Sequence, residues 1–152
     1  MKTLHIAKAL APFALCLLLA CGDSPAAAQD DVPPTIVANM MRLYPEAEDL
    51  DWGIDGNDNW EVHFEVDDEK ARADFKPDGT WIETEESLKW DELPEVVQDA
   101  IKRDYDKDDI VEIEHTMSAE KGEFYDVEID PKGKKKFDLA YSKEGKILGK
   151  NW

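Results

Sequence analysis

Cys21 has the most definite chemistry in this sequence, because of the residues that precede it. Lys2 and Lys8 give a positive start, and an almost purely apolar run from Ala9 to Ala20 then ends in Leu-Leu-Ala. A charged segment, a short apolar segment and a small residue at the cleavage point are the parts of a secretory signal. Cysteine directly after Leu-Leu-Ala looks like a lipobox, whose thiol receives a diacylglycerol. We predict a lipoprotein signal peptide at 1–20 and lipidation of Cys21.

The chain after Cys21 is expected to be exported and held at a membrane by that lipid. Gly22 to Asp31 are small, polar or proline residues without periodicity, which predicts a flexible tether at residues 21–32. Removing the signal takes away two lysines and no acid, so the net charge changes from −18 to −20. Such a charge disfavours nucleic acid as a partner. Gly22 follows the cysteine and Asp23 comes one place later, which favours the outer membrane, with the domain in the periplasm or at the cell surface.

Other reactive side chains are few. After the signal the histidines are His63 and His115, both on predicted strands among acidic neighbours, and no nucleophile-elbow motif occurs. The 36 acidic residues make chance carboxylate pairs inevitable, and we expect none of them to sit in an apolar context that would raise its pKa. We therefore expect no catalytic residues, no cofactor and no dedicated metal site.

The segment Asp55–Asn59 is the best candidate for a cation site. Its alternating oxygen side chains match the start of a calcium loop. However, Trp60 stands where the loop requires glycine, and Val66 stands where it requires glutamate. Asp, Asn and Gly are also ordinary residues of a turn between strands, which is the preferred interpretation.

Hydrophobic periodicity predicts two similar halves, at residues 33–90 and 91–152. Each half opens with a proline and apolar residues at helical spacing, for example Ile36, Met40 and Leu43 in the first half. The period then changes to two, as in the alternating run from Trp60 to Val66. The sequence predicts an α+β fold of two tandem repeats, each one helix followed by about four antiparallel strands, with the helices on one sheet face.

Strict alternation also predicts which side chains the helices leave uncovered. One helix covers one face of a four-stranded sheet, so the polar residues of each strand should form an open, acidic face. Trp81, whose phase is uncertain, is a candidate aromatic anchor there. The candidate partner-binding residues on this face are Glu61, His63, Glu65, Trp81, Glu112, Glu114 and Glu128.

The arrangement of these motifs resembles the PepSY-like family of exported bacterial proteins, which is related in fold to the β-lactamase inhibitor protein. The matching residues in the first half are Tyr44-Pro45, Trp52, Trp60 to Phe64 and Phe75 to Trp81. Those in the second half are Tyr105, Tyr125 to Ile129 and Tyr141 to Ile147, so the resemblance spans residues 33–150.

The resemblance implies tandem α+β units with one open sheet face and a non-enzymatic role. Related domains are proposed to bind or inhibit secreted peptidases. This chain lacks the inhibitor's disulfides and is more acidic on the inferred open face, so β-lactamase inhibition itself is not carried over. We expect a non-catalytic envelope lipoprotein that binds a basic protein or peptide in an inhibitor-like manner. The alternative is a cation- or small-ligand-binding envelope protein.

Overall fold

The computed structural model describes residues 31–150. Cys21, the predicted signal peptide and most of the predicted tether lie outside the described residues. Within them the order is α1 (Pro34–Leu43), β1 (Glu48–Ile54), β2 (Trp60–Val66), β3 (Glu69–Phe75), β4 (Trp81–Ser87), α2 (Glu95–Lys102), β5 (Ile110–Ser118), β6 (Gly122–Ile129), β7 (Phe137–Tyr141) and β8 (Ile147–Lys150). Short 3₁₀ turns at Trp90–Glu92 and Lys107–Asp109 flank α2. None of the helices in residues 31–150 is long and apolar enough to cross a membrane.

All eight strands form one antiparallel sheet in which each strand pairs with its neighbour in sequence. The join between the halves is the pairing of β4 with β5, which runs from Glu83 opposite Ser118 to Ser87 opposite Glu114. The sheet is therefore continuous across the whole described chain.

Both helices lie on the same side of this sheet. Ile36 and Met40 of α1 are fully buried in one core, and Val97 and Ile101 of α2 are fully buried in a second core. Cross-strand partners share a sheet face, and the face of Val62 continues through Ala73, Thr84 and Met117 to Ile113 and Val127. We call the covered side the helix side and the opposite side the open face.

The first core also corrects the predicted end of the tether. Val32 was placed in the flexible segment, but its side chain is only 4% exposed and packs with Ile36, Met40 and Trp52. Val32 lies two residues before the start of α1 and packs against the same core as the helix does, so the ordered domain begins before residue 33.

Hairpin turns fasten each helix to the sheet. Asn39 Nδ2 of α1 donates a hydrogen bond of 2.9 Å to the carbonyl of Gly79, in the β3–β4 turn. Gly145, in the β7–β8 turn, lies so close to α2 that a Cβ there would stand 2.6 Å from the backbone oxygen of Val96. Gly145 also has φ +74°, a conformation that side-chain-bearing residues rarely adopt.

Gly145→Ala is expected to lower the free energy of unfolding by about 2–3 kcal/mol, because the new methyl group must push α2 away from the turn. Gly133→Ala is the matched control, since Gly133 has φ +77° but open space around it. The control should lose only about 1 kcal/mol, the cost of the backbone conformation alone. Urea unfolding of both variants measures the difference, and equal losses would contradict the packing role.

Candidate functional site

The open face carries most of the residues predicted to form it. Glu61, His63 and Glu65 alternate along β2, and Glu61 pairs with Asp74 of β3. Glu112 and Glu114 lie on β5 opposite Glu128 and Asp126 of β6. The pairing of strands thus brings six of the seven predicted residues onto one uncovered surface.

Trp81 is the exception, and its placement on the open face was wrong. A register shift after Asp74 pairs Trp81 with Phe75, whose side chain lies on the helix side. The indole packs against the first core and donates a hydrogen bond of 3.0 Å from Nε1 to Thr84 Oγ1. Trp81 therefore supports the fold beneath α1.

Carboxyl groups oppose one another directly across the strands of the open face. Like charges in such positions destabilise a sheet. The described residues contain six such pairs, which are Glu48–Glu65, Glu61–Asp74, Asp74–Glu83, Glu112–Glu128, Glu114–Asp126 and Glu128–Asp138. These pairs do not stabilise the fold, so the negative charge of the open face indicates a role other than stability.

Arg72 lies at the centre of these carboxyl groups. Its guanidinium reaches Glu85 Oε2 at 2.6 Å, Asp74 Oδ2 at 3.6 Å and Glu61 Oε2 at 3.8 Å. Burial alone lowers the pKa of Arg72, but Glu85, Asp74 and Glu61 together raise it above its ordinary value. Arg72 therefore stays charged and links carboxyl groups of β2, β3 and β4.

A groove of about 260 Å³ runs beside Arg72 on the open face. Apart from Arg72, every residue that lines it is acidic. The lining residues are Arg72, Glu85, Glu112, Glu114, Asp126, Glu128 and Asp138. We call this feature the carboxylate groove. At one end, Lys136 forms an ion pair with Glu128.

Burial raises the pKa of several of these carboxyl groups, so the expectation that none would be raised was wrong. Burial raises the pKa of Asp74 to about 7, with Arg72 opposing the rise and Glu61, Glu85 and Glu83 adding to it. It also raises the pKa of Glu114 to about 7, with Glu85 and Glu112 adding to the effect. The pKa values of Glu85 and Asp126 are raised by burial as well. The face is thus less charged near neutral pH than its residue count implies.

Sequence reasoning missed Arg72, Glu85 and Asp138 as parts of this surface. Arg72 alternates with Ala71 and Ala73, so its outward position was readable from the sequence. Glu85 lies on β4, where polar residues occupy both faces and alternation gives no signal. Its place beside Arg72 depends on strand register, which the sequence does not specify here.

Asp55 is used to build a turn, as the preferred interpretation predicted. Its Oδ1 accepts hydrogen bonds from the backbone N–H groups of Asn57 at 2.7 Å and Asn59 at 2.8 Å. Its Oδ2 accepts a hydrogen bond from the side-chain Nδ2 of Asn59 at 3.1 Å. These bonds lower the pKa of Asp55, although burial acts in the opposite direction. Among the described residues, no group of three or more His, Cys, Asp or Glu side chains is arranged to hold a metal ion.

His115 lies apart from the open face. It is in line with Ile113 and Met117 and faces the helix side. Its Nε2 lies 3.1 Å from Glu123 Oε1, and its Nδ1 lies 3.5 Å from Glu86 Oε2. The bond to Glu86 raises the pKa of His115, with burial opposing it and Glu123 adding to it.

His115→Gln is expected to cost about 1 kcal/mol of unfolding free energy at pH 5.5 and almost nothing at pH 8.5. A histidine whose pKa is raised by folding stabilises the protein below its unfolded pKa and loses that effect as the pH rises through the folded one. His63→Gln is the control, because the His63 side chain is 59% exposed beside Glu61. Denaturant unfolding at both pH values measures this, and an equal loss at both would contradict the ion pairs.

Comparisons with known proteins agree with this architecture. A family model described as "Putative beta-lactamase-inhibitor-like, PepSY-like" matches residues 58–149. None of the curated proteins compared with the chain matches its sequence.

Three solved structures share the fold, each covering 78% of this chain. A protein of Bacteroides eggerthii described as "putative periplasmic" is 18% identical, with 87% of its chain covered and a TM-score of 0.71. A DUF2874 family protein of Bacteroides ovatus is 18% identical, with 85% covered and a TM-score of 0.70. A BLIP-like protein of Bacteroides fragilis is 21% identical, with 84% covered and a TM-score of 0.68. The family match covers more than half of the sequence, and the chain belongs to the beta-lactamase-inhibitor-like, PepSY-like family.

Proposed function

We propose that this chain is a non-catalytic envelope lipoprotein that binds a basic protein or peptide through its open face, in an inhibitor-like manner. The observation that carries the proposal is the set of six directly opposed carboxyl pairs on the side of the sheet that neither α1 nor α2 covers. Like-charge pairs cost stability, and a cationic partner relieves that cost when it binds.

The shape of the surface supports a protein partner over a small ligand. The carboxylate groove is part of a face that extends across the strands, from Glu61 on β2 to Asp138 on β7. Specific protein interfaces bury about 800 Å² on each partner, which requires a broad surface of this kind. The BLIP-like description of the Bacteroides fragilis structure is in keeping with an inhibitor-like role.

Export and lipid anchoring belong to the same proposal. Cys21 and the segment before it supply the signal, and one structural neighbour is described as "putative periplasmic". Palmitate labelling should tag the wild-type chain and fail with Cys21→Ser. Equal labelling of both would reject the anchor.

The two halves are further inferred to be tandem copies of one unit. Each half has a helix followed by four strands, and in each half a turn glycine lies against the helix. If so, replacing the turn 76–80 by 142–146 should leave unfolding cooperative with nearly unchanged stability. Loss of cooperative unfolding would count against equivalent halves.

The direct test of the proposed function is reversal of charge on the open face. Glu61, Glu65, Glu112 and Glu128 are all changed to lysine, and proteins crosslinked to the chain in the native envelope are quantified by mass spectrometry. The control changes four exposed acids on α2 or in the loops that follow the two helices, which are Glu46, Glu95, Asp99 and Asp104. We expect a partner retained by wild type and control and lost from the open-face variant. Equal recovery by all three would reject the proposal.

A further inference from the structure

Asp74 is the most deeply placed carboxyl group of the open face. Its side chain is 10% exposed, although neither α1 nor α2 covers this side of the sheet. Its Oδ1 has no hydrogen-bond partner among the described residues, and Glu61 and Glu83 stand directly opposite it. A buried carboxylate oxygen without a donor is a costly state, and a proton removes that cost.

Glu114 has a similar environment and also lies near Arg72. Asp126 stands directly opposite it on β6, Glu112 is two residues away on its own strand, and Glu85 approaches from β4. These neighbours all have the same sign of charge, so a proton on Glu114 relieves repulsion from three strands.

The charged groups that face these two side chains come from every neighbouring strand. Around Asp74 they are Glu61 of β2, Arg72 of β3, and Glu83 and Glu85 of β4. Around Glu114 they are Arg72, Glu85, Glu112 and Asp126. The raised pKa values of Asp74 and Glu114, both about 7, agree with this geometry.

We propose that the open face binds its cationic partner in exchange for protons, which Asp74 and Glu114 release to the solvent. The inference rests on the proposed function and adds that pH regulates the binding of the partner. Guanidinium or ammonium groups of the partner stabilise the anion of Glu114, which lines the carboxylate groove, and the anion of Asp74, which lies beside Arg72 on the same face. Because linkage is reciprocal, removing the protons by raising the pH must strengthen binding of the cation.

Calorimetry with a hexa-arginine peptide tests the exchange. Wild-type protein should bind the peptide about tenfold more tightly at pH 8 than at pH 6. Titrations at pH 7 in two buffers of different ionisation enthalpy should also show that protons are released on binding. The double variant D74N/E114Q should bind with a much smaller pH dependence and release almost none.

Two controls separate this effect from other titrations. Histidines as a class also change charge between pH 5 and 8, so the decisive quantity is the difference between wild type and the double variant. Asp51→Asn removes an exposed acid from the same face and should keep the wild-type pH dependence.

Carbon-13 NMR of the side-chain carboxyl groups provides a test without any partner. Asp74 and Glu114 of the free protein should titrate near pH 7. Titration of both below pH 5 would overturn the inference, as would peptide binding that is independent of pH and releases no proton. The latter result leaves the proposed function standing, whereas absence of peptide binding at both pH values overturns both proposals.

Discussion

Replacing Arg72 by alanine should lower the free energy of unfolding by about 2–3 kcal/mol at pH 8 and by much less at pH 5. The guanidinium contacts Glu85, Asp74 and Glu61, and its loss leaves these groups facing one another. The side chain is 33% exposed and therefore partly screened by solvent. We expect the loss of unfolding free energy to be no larger than the smallest losses caused by breaking a fully buried ion pair.

The pH dependence of this loss has a definite sign. Burial raises the pKa of Asp74 to about 7 and that of Glu85 above its usual value, so both carry less charge at pH 5. Arg72 then has less negative charge to neutralise. Urea unfolding at both pH values measures the effect, with Arg42→Ala on the exposed side of α1 as the control. An equal loss at pH 5 and pH 8 would contradict a charge-based role for Arg72.

Glu114→Lys should raise stability and weaken partner binding at the same time. The substitution removes a carboxyl group that faces Asp126, Glu112 and Glu85, and it places a cation among them. We expect a gain of about 1–2 kcal/mol in unfolding free energy at pH 8. Partner affinity should fall by about a hundredfold, because the variant lysine repels a basic partner in the groove.

A substitution that raises the unfolding free energy but lowers partner affinity distinguishes a functional surface from a structural one. The gain in stability should shrink at pH 5, because Glu114 with a pKa of about 7 is already protonated there. This is the sign expected for an acid whose pKa is raised by folding, since its protonated form stabilises the fold at low pH. Unfolding curves and affinity measurements on the same samples check both effects. A variant that is less stable and still binds would contradict the account.

Much of the fold was predictable because apolar and polar residues alternate regularly along most of the strands. The run from Trp60 to Val66 forms β2 with the predicted bounds, and Val62 and Phe64 are buried as the pattern indicated. The pairing of β4 with β5 was not predictable, because Glu83, Glu85 and Glu86 give β4 no apolar period. Backbone hydrogen bonds join these strands whatever their side chains are, so a hydrophobic pattern does not predict that the sheet is continuous.

The candidate site was predictable in part for the same reason. Glu61, Glu112 and Glu114 alternate with apolar neighbours, so their common face follows from strand geometry alone. Trp81 was misplaced because a bulge beside Phe75 changes which face it occupies. Arg72 was overlooked because its importance depends on three carboxyl groups from three strands, and only strand register brings them together.

Site-specific photo-crosslinking in living cells tests the central claim most directly. One variant carries the photoreactive residue in place of Glu112 on the open face, and a second carries it in place of Asp99 on α2. Both positions are exposed, so the two probes differ mainly in the side of the sheet that they sample. The account predicts a discrete crosslinked partner from position 112 and none from position 99. The same partner crosslinked equally from both positions, or from position 99 alone, would contradict binding through the open face.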